Sequence, residues 1–214
     1  MGARSTPRTC PHCASGPFWY TQRPAAPGLG SCLAPTLLRG PPEGVDVKGL
    51  NPVKAGFIAV VGAYGIVCAV GPSTYRFLDR VDLVFHEAGH VFFGLFGEFI
   101  GILGGSLMQV LIPAGIVAYF VWHRQRYSAA VTLFWVAQSL FNLSVYVKDA
   151  RARVLPLLGG EDTLHDWHYV LGRLNLLRWD HALGNVVYAV GLVTLGTSVL
   201  WGFYCSREEE PSAR

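Results

Sequence analysis

Val81–Asp82–Leu83–Val84–Phe85–His86–Glu87–Ala88–Gly89–His90–Val91–Phe92–Phe93–Gly94 is an apolar stretch broken by a compact ionisable group. Its centre reads H-E-x-x-H. In a helix, residues four apart share a face about 6 Å apart along the axis, so the two imidazoles can converge on one metal ion. Glu87 sits one residue round from His86, placed to reach a metal-bound water rather than the metal. This is the arrangement of metal-assisted hydrolysis. Zinc acidifies the water, the carboxylate takes its proton, and the oxyanion that forms rests on the metal.

The apolar surroundings sharpen that reading. A charged residue near a bilayer centre costs roughly 2.5–3.5 kcal/mol on insertion scales. Three ionisable groups within five residues oppose insertion unless a function compensates, and ionisable groups inside a membrane mark functional sites by default. The competing reading places the segment at the interface with these groups wet.

Composition supports a membrane setting. The chain has 214 residues, 51% hydrophobic and 14% charged, against about 25% charged in soluble domains. The net charge of +3 is too small and too scattered to suggest a nucleic-acid partner. The five cysteines form no visible disulfide framework. Residues 1–51 form a Pro/Gly-rich basic tail, read as disordered, with four arginines before Gly40 and no acidic residue before Glu43. It contains Cys10–Pro11–His12–Cys13, similar to the tetrapeptide of thioredoxin-like oxidases; that chemistry needs a strand before the pair and a helix after it to tune a thiolate, whereas the surrounding sequence is Pro-rich.

From Pro52 the chain reads as an all-α polytopic membrane protein of about five transmembrane or membrane-embedded helices. The apolar segments are 55–71, 81–102, 104–122 (interrupted by Pro113), 129–147 and 183–204. A membrane-embedded metalloprotease domain is thus expected over 52–204, followed by a polar tail over 205–214. Trp167, Val170, Leu171, Leu174 and Leu177 have the spacing of a short amphipathic helix in the last loop. Five crossings would put the N-terminal tail and the Lys148–Asp180 loop on one side. Gly97, Gly101 and Gly105 recur every fourth residue, a pattern that lets helices pack closely.

A hydrolytic zinc site needs a third protein ligand and an open position. Asp149, at the end of the fourth segment, is the leading candidate. Asp166, His165 and His168 are its rivals, although Thr163-x-x-Asp166 also reads as a capping box.

His86-Glu87-Ala88-Gly89-His90 in a membrane segment, followed by a later one containing Asn142 and ending at Asp149, resembles the site-2 protease family of intramembrane zinc metalloproteases. The match covers roughly 81–151, without a PDZ-like insertion. The resemblance implies zinc held by His86, His90 and Asp149, with Glu87 as the catalytic base. It also implies a membrane-spanning or membrane-associated polypeptide substrate, and a multi-pass location in a bacterial cell membrane. Asn142 either binds the substrate backbone or makes a polar contact between helices. The sequence departs from the family in having Lys148-Asp149-Ala150 where Leu-Asp-Gly is usual, in lacking the preceding proline, and in placing Asn142 one residue nearer the aspartate. Two other classes remain open. One is a membrane di-iron hydroxylase or desaturase using His86, His90, His123, His165, His168 and His181. The other is a catalytically inactive membrane scaffold of the same fold.

Overall fold

A computed structural model describes residues 47–156 and 164–209. The Cys10–Cys13 pair, and Thr163 of the expected capping box, lie outside them. The architecture is the all-α one expected. Its elements are β1 (Val47–Leu50), α1 (Pro52–Val70), α2 (Phe77–Gly94), α3 (Glu98–Trp122), α4 (Arg126–Lys148), α5 (Asp166–Arg173), α6 (Asp180–Cys205) and β2 (Arg207–Glu209).

Four helices are long and apolar enough to cross a membrane: α1, α3, α4 and α6 with the turn preceding it. The outer faces of α1 and α6 carry exposed Val60, Val70, Val193 and Leu200, side chains that lipid would cover. The central helix is α4, which turns Gln138, Ser139 and Ser144 inward and packs on α6, α3 and α1. Small residues allow these approaches. Gly191 faces Phe141 across α4–α6, while Gly62 and Gly65 face Val199 and Leu195 across α1–α6.

The direction of each helix decides the topology. Lys54 and Tyr64 of α1 lie beside Tyr127 and Phe134 of α4, so α1 and α4 run parallel. Ser198, Phe141 and Gly184 show that α6 runs opposite to α4, because Ser198 bonds Ala130 O, Phe141 faces Gly191, and Gly184 meets Ser144 and Lys148. α3 is antiparallel to α4 across the short turn at 123–125. Consequently α2 begins where α1 ends and stops where α3 begins, and both points lie on the side of the α4 C-terminus. α2 does not cross.

An independent observation agrees. β1 pairs antiparallel with β2, Val47 opposite Glu209 and Leu50 opposite Arg207, and Asn51 N donates to Ser206 O at 2.8 Å. The chain therefore enters α1 and leaves α6 on one side, which requires an even number of crossings. The five-crossing placement is corrected accordingly: residues 47–51, which lead into α1, lie opposite residues 149–156 and 164–179, not beside them.

Two further expectations change. The segment 81–102 is two helices, broken at Leu95–Gly97 where Gly97 has φ of 103°, a conformation that favours glycine. Gly97 is thus a turn residue rather than part of a packing stripe. α3, by contrast, is continuous through Pro113.

Polar bonds dock α2 on α4. Asp79 Oδ1 accepts from Gln138 Nε2 at 2.7 Å and Asn142 Nδ2 at 3.0 Å. Asp82 accepts from Trp135 Nε1 at 2.8 Å and Ser139 Oγ at 2.9 Å. Each buried carboxylate is thereby satisfied, as burial in an apolar bundle demands. Arg76 joins the preceding loop to the end of α1 by donating to Val67 O, Gly71 O and Thr74 O.

Candidate metal centre

Because α2 is helical through 77–94, His86 and His90 lie one turn apart on the face turned to α3. α3 comes very close there. A Cβ on Gly105 would lie 2.6 Å from Cε1 and Nε2 of His90 and 2.7 Å from His86 Nε2. Only a residue without a side chain leaves room for both rings. Gly101 serves packing, since its Cβ would meet Gly94 Cα at 2.9 Å.

Each histidine is anchored from behind. His86 Nδ1 is 2.9 Å from Gln109 Oε1, and His90 Nδ1 is 2.9 Å from Gly101 O. Both partners are acceptors that favour a proton on Nδ1, which leaves the Nε2 of a neutral ring free to face forward. Gln109 Nε2 makes a long 3.5 Å contact to Ser139 O, which agrees with its Oε1 facing His86.

The third group comes from α5. Asp166 Oδ2 lies 2.8 Å from His86 Nε2 and 3.2 Å from His90 Nε2. The donor atoms of His86, His90 and Asp166 all lie within 4.8 Å of one another, a group that could hold a metal ion. Two ring lone pairs and a carboxylate oxygen can face one another so closely only with a cation among them, either a proton or a metal ion. The charges respond accordingly. The Asp166 hydrogen bond holds the His90 imidazolium above its usual range. For Asp166 itself, burial opposes the charge, but the bonds from His86 and His90 prevail and keep its carboxyl below the ordinary value.

Asp166 is held firmly. It is the first residue of α5, with His165 as the N-cap, so it is not the third helical residue that a Thr163 capping box requires. Its backbone N donates to Tyr146 Oη at 3.2 Å. The next residue, Trp167, donates to Ser106 Oγ at 3.0 Å.

Asp149 is not brought to the histidines. Its Oδ2 is 3.1 Å from His165 Nε2, and its carboxylate accepts from Val154 N and Leu155 N, each at 3.0 Å. These bonds spend its oxygens on the loop after α4, so the expectation of Asp149 as third ligand gives way to Asp166. His165 Nδ1 accepts from His168 N, which leaves its Nε2–H to donate to Asp149. Burial in this position holds the His165 imidazolium below its usual range. His168 is bonded to Ala150 O and His123 packs on Tyr119. Among the described residues, no second histidine cluster joins the first.

A cavity of about 950 Å³ opens beside the group. His86, Glu87, His90, Asp166, Asn142, Tyr146, Glu98 and Gln109 all line it. Glu87 is exposed, which suits a group that must meet water. Asn142 lines the cavity and donates to Asp79, a polar contact between helices. Gln109, Tyr146 and the particular need for Gly105 were not singled out from sequence. A lone amide in the apolar run Leu107–Ile112 was the available signal for Gln109.

In comparisons with known proteins, no family model, no curated protein and no solved structure matches the chain.

Proposed function

We propose that the protein is a membrane-embedded zinc metalloprotease that hydrolyses peptide bonds of a membrane-associated polypeptide. One observation carries the reading. His86 Nε2, His90 Nε2 and Asp166 Oδ2 converge beside a cavity that Glu87 also lines. Two imidazoles and one carboxylate form a donor set suited to catalytic zinc, which would keep one position for water or substrate.

Bound there, the metal would supply Lewis acidity, lowering the pKa of water and polarising a carbonyl. The chain's residues do the rest. His86, His90 and Asp166 hold the ion, with both rings preset by Gln109 and the Gly101 carbonyl. Glu87 takes the proton of the attacking water and returns it to the leaving amine. Asn142 has its Nδ2 committed to Asp79, which leaves its Oδ1 to accept a substrate backbone N–H. The cavity lies by the C-terminal end of α4, between α2 and the loops of that side. A helical substrate segment would have to unwind locally to present its carbonyl.

The di-iron reading is less well supported, because His123, His165 and His168 are engaged elsewhere. Metal content of the purified, detergent-solubilised protein tests the proposal directly. One zinc per chain, with hydrolysis of a membrane-inserted peptide, is expected. Two irons, or no metal, would overturn it.

A further inference from the structure

We infer that Gln109 is a positioning residue that fixes His86 as a metal donor by holding its proton on Nδ1. The proposal rests on the metalloprotease reading for its consequence, but its structural basis is separate. Gln109 is buried within α3, in a helix otherwise apolar enough to cross a membrane. A primary amide there is costly unless its groups are used. Its two halves are used unequally. Oε1 lies 2.9 Å from His86 Nδ1, while Nε2 lies 3.5 Å from Ser139 O. The first distance is that of a full hydrogen bond and the second is at the limit. The side chain therefore serves His86 more than it serves α3–α4 packing.

The chemistry follows from the ring. A neutral imidazole carries one proton, and only the nitrogen without it can bind a metal. An acceptor fixed behind Nδ1 puts the proton there and the lone pair on Nε2, toward Asp166. Remove the acceptor and the ring loses both its preferred tautomer and its orientation, a change that typically costs 10–100-fold in metal affinity. For His90 the same task falls to a main-chain carbonyl, Gly101 O, which no side-chain substitution deletes. Gln109 is accordingly where this control can be altered by mutation.

Two variants of the full chain separate positioning from packing. Gln109→Met keeps length and roughly the volume but accepts no useful hydrogen bond. Gln109→Glu keeps an acceptor. Zinc affinity, measured by chelator competition, is expected to fall about 10–100-fold in Gln109→Met and to stay within a few-fold of wild type in Gln109→Glu. Ring ¹⁵N spectra of the metal-free protein at alkaline pH, taken in an Asp166→Ala background so that no carboxylate competes for the His86 proton and assigned against His86→Ala, give a readout independent of metal. In that background Gln109 and Gln109→Glu should show the proton on Nδ1, and Gln109→Met a mixture. Wild-type affinity in Gln109→Met, or equal losses in both variants, would overturn the inference. Should wild type bind no zinc, the metalloprotease reading fails and the ¹⁵N result alone decides the role of Gln109.

Discussion

Asp166 Oδ2 lies 2.8 Å from His86 Nε2, although eighty residues of chain separate the two. Asp149, the ligand expected from sequence, instead accepts from the backbone of Val154 and Leu155. The two aspartates should therefore fail differently. Asp166→Ala is expected to weaken zinc binding by at least about 100-fold, beyond the effect of losing an outer partner. Asp149→Ala should mainly lower thermal stability, by about 1–3 kcal/mol for donors left unpaired, with a smaller change in affinity. Parallel zinc titrations and melts decide the matter, and the opposite ranking would return the ligand to Asp149.

Glu87 is exposed to the cavity while its neighbours His86 and His90 face Asp166. Replacing it by Gln removes the base and leaves the donor set untouched. Glu87→Gln should retain stoichiometric zinc and lose hydrolysis by on the order of 10²–10⁴-fold. Full activity in the pure variant would sink the proposed mechanism.

Gly105 forms the floor beneath both imidazoles. Gly105→Ala places a methyl group 2.6 Å from the His90 ring, so a ring or a helix must move. We expect zinc affinity to fall at least about tenfold, in line with losses on disturbing ligand orientation. Gly115→Ala, on the same helix with nothing within 4 Å of its Cβ, should leave affinity unchanged. Equal behaviour of the two variants would remove Gly105 from the site.

The ribbon of β1 and β2 fixes both ends of the helical domain on one side. In a background with the five native cysteines replaced, single cysteines at Gly49 and Arg207 should be labelled by a membrane-impermeant thiol reagent from the same side. A cysteine at Ala152, in the exposed loop after α4, should be labelled only from the other. Labelling of Gly49→Cys and Ala152→Cys from one common side would restore a five-crossing topology.

The features legible in the sequence were those set by local periodicity. Five apolar runs read as helices because every backbone group in lipid must be satisfied within its own segment, and four of them form helices long and apolar enough to cross. The i, i+4 spacing of His86 and His90 placed them on one face, whatever the rest of the chain did. The amphipathic spacing around Val170 and Leu171 likewise marked α5, which buries both residues.

The third donor was decided only by tertiary packing. Asp149 and Asp166 are both carboxylates in the same connection, and nothing in their local sequence says which oxygen faces the rings. The choice follows from the start of α5 at Asp166, held by Tyr146 and by the neighbouring Trp167 on Ser106. The course of α2 was equally hidden. Its hydropathy resembles that of a crossing segment, but the turn at Gly97 and the pairing of β1 with β2 return it to the side it started from. The preset rings belong to the same class of fact. Gln109 and the Gly101 carbonyl act on His86 and His90 across an interface between helices. Periodicity assigns a side chain to a face of its own helix, whereas the partner that meets that face is set by how the helices pack.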